Sequence, residues 1–195
     1  MPDAADPIAA ELAAKRAQDA ELQRVLSAHP DLALADIPKV RSMEAMAAER
    51  DRLDARGERL VITSGCFDVL HGGHRAYLPA ARAAGDALVV ALNDDASVRK
   101  LKGPDRPVRP AAVRAWLLAE LDAVDYITVF PQRSVAAPIL AIRPHVYAKG
   151  GDYTLETIHQ DVRAAVEQIG AEARFLNLVP GVSTTEILRR ERADP

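Results

Sequence analysis

The sequence predicts an α/β protein with a doubly wound, five-stranded parallel sheet and a helical N-terminal extension. Two observations lead to this prediction: apolar runs of strand length recur between residues 59 and 179, and helix-length segments separate them. Strands that are apolar throughout are typical of a parallel sheet covered on both faces. Right-handed crossovers then wind such a sheet outward in two directions.

The N-terminal part of the chain shows helix signals only. Residues 7–27 are rich in Ala, Glu, Leu, Arg and Gln, which favour helix, and prolines follow them. A second helix is predicted over 39–56, with Gly57 as its C-cap. We therefore expect residues 1–38 to be an arm that covers the core or a partner subunit, and residues 39–195 to form the domain.

From residue 59 onward, strands and helices alternate. β-Branched and aliphatic runs bounded by turn residues predict strands over 59–63, 88–92, 126–130, 146–148 and 174–179. The segments between them predict helices over 74–84, 95–101, 111–121, 134–142, 155–169 and 184–192. Gly85 and Gly170 end two of these helices. Three prolines in nine residues make 102–110 a loop.

Composition excludes several classes of protein. The net charge of −3 argues against a general nucleic-acid binder, but not against a protein that binds a phosphorylated small molecule. The single cysteine, Cys66, excludes a disulfide framework within the chain and suits a reducing compartment. No apolar run reaches membrane-spanning length, and the N-terminus lacks the apolar core of a signal peptide. We expect a cytoplasmic protein without a membrane partner.

Ligands of such sheets bind at the carboxyl ends of the strands, which directs attention to the loop 64–74. The loop reads SGCFDVLHGGH and opens a helix, whose N–H groups face an anion. His71 and His74 are three residues apart across two glycines, so both imidazoles can donate to one phosphate. The loop fits neither a Walker A nor a dinucleotide-binding pattern. A zinc site lacks further ligands at suitable spacing, and a pair of exposed turn histidines is the remaining alternative.

A second glycine pair follows the fourth predicted strand, in the segment KGGDY. Gly150 and Gly151 allow the backbone to approach a base or ribose. Lys149 can then reach a phosphate, and Asp152 can accept a hydrogen bond from a hydroxyl. A plain turn with a solvated lysine is the alternative. His29, His145 and His159 lack a motif and are predicted to be surface residues.

The pattern GxFDxxHxGH, with Ser183, Thr184 and Thr185 before a C-terminal helix, resembles the cytidylyltransferase-like nucleotidyltransferase superfamily and its Rossmann-like fold. The finer resemblance is to the nucleotidyltransferase domain of ADP-heptose synthase, a D-glycero-beta-D-manno-heptose 1-phosphate adenylyltransferase. It is carried by the segments GCFDVLHGGH (65–74), LNDDAS (92–97), LKGPDRPV (101–108), AVDY (123–126), KGGDY (149–153), LNL (176–178) and GVSTTEI (181–187). Ser64 departs from the usual Asn of that family. The glycerol-phosphate cytidylyltransferases carry an Arg-Thr pair before the last helix, which this chain lacks.

The resemblance implies roles for individual residues. His71, His74 and Lys102 would act at the reacting centre. Asp68 would orient either a histidine or a Mg²⁺ ion that the phosphates hold. Its alternative role is to cap the loop. The remaining nucleotide-binding residues implied are Gly65, Cys66, Phe67, Gly73, Arg106, Lys149, Gly150, Gly151, Asp152, Ser183, Thr184 and Thr185.

The resemblance also implies a reaction. A nucleoside monophosphate would pass from a nucleoside triphosphate, ATP, to a sugar 1-phosphate, a heptose 1-phosphate, with release of pyrophosphate. Bifunctional members carry a sugar kinase domain upstream, for which 38 residues are too few, so we expect a stand-alone transferase that forms a homodimer. The alternatives are a cytidylyltransferase acting on glycerol 3-phosphate or another alcohol phosphate, and a non-catalytic nucleotide sensor.

Overall fold

The computed structural model describes residues 6–28, 30–176 and 184–193. Its centre is one sheet of five parallel strands in the order β3-β2-β1-β4-β5, which confirms the predicted fold class. The strands are β1 (Leu60–Gly65), β2 (Ala87–Asn93), β3 (Tyr126–Phe130), β4 (Val146–Gly150) and β5 (Glu172–Leu176).

The strand order reverses at the centre of the sheet. β1 pairs with β2 on one side and with β4 on the other. The chain adds β2 and β3 outward, then crosses back to lay down β4 and β5. The carboxyl ends of β1 and β4 therefore form the switch point where open α/β sheets bind their ligands.

Eight α-helices occur in the described residues, with a short 3₁₀ helix at Leu34–Asp36. They are α1 (Pro7–Ala28), α2 (Met43–Ala55), α3 (Gly72–Arg82), α4 (Asp95–Lys102), α5 (Ala111–Ala119), α6 (Ala136–Ile142), α7 (Gln160–Ile169) and α8 (Thr184–Ala193). None of the helices in these ranges is both long and apolar enough to cross a lipid bilayer.

Both faces of the sheet are covered, because neighbouring side chains on a strand point to opposite sides. Val61 faces a core that it shares with Leu78 of α3 and Leu118 of α5. Ile62 faces a second core on the other side, which contains Met46 of α2. Two buried faces explain why the strands are apolar throughout rather than alternating.

The start of α2 differs from the prediction. The helix begins at Met43 rather than at residue 39, and Ser42 caps it by accepting a hydrogen bond from the Ala45 N–H at 3.1 Å. The preceding residues are extended instead: Val40 forms a parallel bridge with Ile127 of β3. The sequence shows only helix signals in this part of the chain, since a single bridge is too short to leave a periodic signal.

The start of α7 also differs from the prediction, which placed it at residue 155. The helix begins at Gln160, because residues before it form a turn in which the Thr154 N–H donates to the Thr157 Oγ1 at 2.7 Å. Thr side chains compete for backbone hydrogen bonds in this way. The last predicted strand, 174–179, is observed as Glu172–Leu176, and its remaining residues lie outside the described ranges.

The N-terminal arm lies against the rest of the chain. Ile8, Leu12 and Leu22 of α1 are buried, and Leu22 joins the core on the α3 and α5 side of the sheet. Part of the arm therefore covers the core of its own chain.

Candidate active site

The loop between β1 and α3 lies at the switch point of the sheet. Phe67, within this loop, is buried and takes a left-handed backbone conformation with φ at 44°, which is uncommon for an aromatic residue. Its ring lies so close to Gly65 that a Cβ added there would stand 2.9 Å from a ring carbon. Gly65 is therefore required by the packing of Phe67, whose ring also lies 5.0 Å from that of His74.

His71 and His74 form a close pair. Their ring centroids are 3.9 Å apart with an angle of 36° between the ring planes. The Nδ1 atoms of both rings are buried and make no hydrogen bond within the described part of the chain. Buried polar atoms without partners are rare in folded proteins and need an explanation. A ligand that approaches this pair is such an explanation.

Burial keeps both imidazoles neutral. Burial, together with a smaller contribution from the neighbouring His71, lowers the pKa of His74 to about 3. Burial also lowers the pKa of His71, against the opposing charge of Glu11. A neutral imidazole donates from one nitrogen and accepts at the other. A bound polyanion would raise both pKa values, because negative charge favours the protonated ring.

Asp68 joins this loop to the loop that follows α4. Its carboxylate is buried, and its Oδ1 accepts hydrogen bonds from the N–H groups of Val108 at 2.7 Å and Arg109 at 3.3 Å. Its Oδ2 accepts from the guanidinium of Arg106. This geometry favours the loop-capping role for Asp68 over metal binding, because both carboxylate oxygens already have partners.

Arg114 links several segments of the same region, a role that was not predicted from the sequence. The side chain is fully buried in α5. It donates to the carbonyl of Cys66 at 2.6 Å, to the carbonyl of Arg109 at 2.9 Å and to the carboxylate of Asp95 at 2.8 Å. One feature of the sequence indicates this role: Arg114 is the single charged residue in the apolar helix AAVRAWLLA. A buried arginine requires several partners, so such a residue is expected to link neighbouring segments.

A cavity of about 680 Å³ opens over these loops. Half of the site residues predicted from the sequence line it: Gly65, Cys66, Phe67, Asp68, His74, Lys102, Arg106 and Lys149. The structure thus brings three predicted segments together, from the ends of β1, α4 and β4. His71 stacks behind His74, and Gly73, Gly150, Gly151 and Asp152 do not line the cavity.

Positive charge is concentrated at this cavity. Burial lowers the pKa of Lys149, and the charge of Lys102 lowers it further, while Cys66 opposes the shift. The Lys149 Nζ lies 5.3 Å from the centroid of the Tyr153 ring, over its face. Two lysines that repel each other favour a ligand with several negative charges, because such a ligand relieves the repulsion. The cavity is therefore suited to a polyphosphate.

Polar residues outside the predicted set also line the cavity. They are Ser64, Asn93, Arg133, Ser134, Tyr147, Tyr153, His159 and Asp161. Residues after β3 and at the start of α7 contribute to this set, and no motif marks them in the sequence. His159 is exposed, as predicted, but it lies at the rim of the cavity.

His145 corrects the expectation of a surface residue. Its Nδ1 accepts a hydrogen bond from the Leu60 N–H at 3.0 Å, and its Nε2 lies 3.0 Å from the carboxylate of Asp54. The ring thereby satisfies the first N–H of β1 and is structural. The two residues are 85 positions apart in the sequence, so no local sequence pattern predicts this contact.

The profile of the cytidylyltransferase-like family matches residues 62–190, most of the chain and all the segments that surround the cavity. The chain belongs to the cytidylyltransferase-like family. This finding confirms the family resemblance drawn from the loop 65–74.

Individual relatives of this cytidylyltransferase-like protein carry the name "Bifunctional protein HldE". The protein of Pelobacter propionicus is 45% identical over 152 residues, which are 78% of this chain and 31% of the relative. The protein of Chromohalobacter salexigens is 50% identical over 133 residues, 68% of this chain and 28% of the relative. The chain thus spans about a third of the length of the curated relatives it matches.

A solved structure shares the fold of this family member. It is the lipopolysaccharide core biosynthesis protein from Thermoplasma volcanium, with a TM-score of 0.52 and 23% sequence identity. The match covers 65% of this chain and 100% of that chain.

Two parts of the predicted site stand apart from this geometry. Ser183 lies outside the described residues, as do the side chains of Thr184 and Thr185, although both threonines begin α8. Within the described residues, no group of three or more His, Cys, Asp or Glu side chains could hold a metal ion.

Proposed function

We propose that this cytidylyltransferase-like protein transfers a nucleoside monophosphate from a nucleoside triphosphate, ATP, to a sugar 1-phosphate, a heptose 1-phosphate. The observation that carries the proposal is the cavity that His74 lines together with Lys102, Arg106 and Lys149. The relatives named HldE, about 45% identical, support the choice of sugar phosphate through the ADP-heptose synthase resemblance.

The proposed step is a direct displacement at phosphorus. A phosphate oxygen of the sugar 1-phosphate attacks the α-phosphorus and forms a new P–O bond. The bond from the α-phosphorus to the bridging oxygen breaks, and pyrophosphate leaves with the electron pair. Catalysis then depends on positioning and on donors aimed at the developing charge.

The residues of the cavity divide these tasks. His74 donates to an oxygen of the α-phosphate, and His71 supports its ring from behind. Lys102 and Lys149 neutralise charge on the triphosphate. Arg106 also does this, and its hydrogen bond to Asp68 holds its guanidinium in place. Each of these interactions grows stronger as negative charge accumulates on the phosphoryl oxygens.

Cys66 takes no covalent part in this proposal. Burial raises the pKa of its thiol, with Lys102 and Arg114 opposing the shift. A thiol that stays protonated is a poor nucleophile, and its role is a small side chain against the nucleotide.

Magnesium enters the proposal as part of the substrate. Mg²⁺ keeps several waters and commonly binds substrate phosphates rather than a protein cage. The arrangement around Asp68, whose oxygens are occupied, is consistent with an ion carried in by the triphosphate. None of the roles assigned to side chains above passes through the ion.

A substrate panel tests this function. The protein is incubated with Mg²⁺, each nucleoside triphosphate, and either heptose 1-phosphate or glycerol 3-phosphate, while pyrophosphate release and product mass are measured. We expect pyrophosphate and a nucleoside diphosphate heptose with ATP. A cytidine product with glycerol 3-phosphate would favour the cytidylyltransferase alternative. Nucleotide binding without turnover on any pair would favour the sensor.

The homodimer implied by the resemblance is a separate proposal. Light scattering of the full chain and of a chain beginning at Lys39 tests it, together with the part played by residues 1–38.

A further inference from the structure

One face of α1 contacts three segments predicted to bind phosphate. Glu11, Lys15 and Asp19 follow each other at intervals of four residues, so they lie in one row along the helix. Each of them reaches a different part of the chain, and the three parts are the start of α3, the helix α8 and the loop after α4.

Glu11 closes the start of α3. Its carboxylate accepts a hydrogen bond from the Gly72 N–H at 2.8 Å. The approach is so close that a Cβ on Gly72 would collide with the carboxylate oxygen. A carboxylate at a helix N-terminus satisfies an N–H that has no partner within the helix and interacts favourably with the helix dipole. The contact fixes the turn that carries both histidines.

Lys15 joins α1 to α8. Lys15 is buried, with 6% of the residue exposed. Its ammonium group donates hydrogen bonds to Asp19 at 2.6 Å and to Glu191 at 2.7 Å. Burial acts to lower the pKa of Lys15, but the hydrogen bonds to the two carboxylates outweigh it and raise the pKa. The pair with Glu191 holds the helix that begins at Thr184.

Asp19 reaches the loop after α4. Its carboxylate accepts from the guanidinium of Arg109, which also donates to Gln18 at 2.7 Å. The backbone N–H of Arg109 donates to Asp68, which holds Arg106 at the cavity. A short chain of contacts therefore runs from α1 to a cation of the site.

We propose that α1 is a positioning element of the active site, in which Glu11, Lys15 and Asp19 hold the three phosphate-binding segments in register. This inference rests on the proposed function. The three side chains do not line the cavity, so they act through the segments they hold. The apolar residues Ile8, Leu12 and Leu22 of the helix are buried and attach it to the rest of the chain. The row of Glu11, Lys15 and Asp19 is therefore free to position the three phosphate-binding segments.

The test compares four variants of the full chain. Glu11→Ala removes the acceptor at Gly72, whereas Glu11→Gln keeps an acceptor oxygen and removes only the charge. Asp19→Asn weakens the contact to Arg109. Glu21→Gln is the matched control, because Glu21 lies on the same helix and pairs with Arg24 at the surface.

Three quantities are measured for each variant: the melting temperature, kcat and KM for pyrophosphate release, and hydrogen–deuterium exchange of peptides covering 68–76 and 103–110. We expect Glu11→Ala and Asp19→Asn to lower kcat by roughly tenfold to 100-fold, as small displacements of reacting groups do. KM should change less, and Glu11→Gln should recover most of the loss at Gly72. Exchange should rise in 68–76 for Glu11→Ala and in 103–110 for Asp19→Asn.

Equal kcat in parent and variants would overturn the proposal, as would a loss of the same size in Glu21→Gln. Unchanged exchange in both peptides would also overturn it. If the parent protein releases no pyrophosphate on any substrate pair, the proposed function fails instead. The exchange data then decide alone whether α1 orders these segments.

Discussion

Arg114, fully buried in α5, donates a 2.6 Å hydrogen bond to the carbonyl of Cys66 in the loop that follows β1. The same guanidinium holds the carbonyl of Arg109 and the carboxylate of Asp95. One side chain thus links the histidine loop, the start of α4 and the loop that carries Arg106. The arrangement of the cavity depends on this residue, although Arg114 does not line it.

Arg114→Met should destabilise the protein by about 3 kcal/mol, because removing one partner of a buried charged group leaves the others without compensation. Urea unfolding followed by circular dichroism measures the change. Arg163→Met is the control, since Arg163 forms an exposed pair with Glu167 on α7 and its replacement should leave stability nearly unchanged. Similar losses in both variants would contradict the role of Arg114.

His74→Ala should lower kcat by roughly 10²–10³-fold, in line with the loss of one preorganised donor to the transition state. Activity is compared per folded molecule, because the ring also packs against Phe67 and His71. Steady-state pyrophosphate release measures the effect. Arg75→Ala changes an exposed neighbour on α3 and should keep full activity. An unchanged kcat for His74→Ala would remove the residue from the mechanism.

The stability of the ligand-free protein should fall as the pH drops below about 6.5. The pKa of His74 is lowered by burial from 6.5 to about 3, so the unfolded chain binds a proton in this interval and the folded chain does not. The folded state is therefore stabilised above pH 6.5 and loses up to about 1.4 kcal/mol per pH unit from this group below it.

Urea unfolding at several pH values between 7.5 and 4.5 measures this slope. His74→Gln should flatten it, and His159→Gln should not, because the ring of His159 is exposed to solvent. An identical slope in His74→Gln would show that other groups produce the acid sensitivity.

Gly65→Ala should lower kcat/KM by roughly tenfold to 100-fold, as expected from a small displacement in a reacting site. The added Cβ would stand 2.9 Å from the Phe67 ring, which must shift along with its contact to His74. Gly85→Ala is the comparison: its Cβ would stand 2.7 Å from the Arg59 carbonyl, remote from the cavity. That variant should lose about 1–3 kcal/mol of stability and retain its kinetic constants per folded molecule.

Most of the secondary structure could be predicted from the sequence because its signals are local. The apolar run LVVAL predicts a buried strand, and β2 is found at Ala87–Asn93. The helix predicted over 95–101 is observed at Asp95–Lys102, with Asp94 as its cap. The two histidines and their glycines lie within four residues of one another, so their proximity follows from the chain itself.

The sequence by itself therefore determined the succession of strands and helices along the chain, the family, and the loop that carries His71 and His74. The tertiary structure alone decided which distant residues complete the site. Arg114 and Cys66 are 48 residues apart, and Glu11 and Gly72 are 61 apart. Such contacts exist only once the strand order brings separate loops to one edge of the sheet. Buried charges then take the partners that the packing leaves within reach.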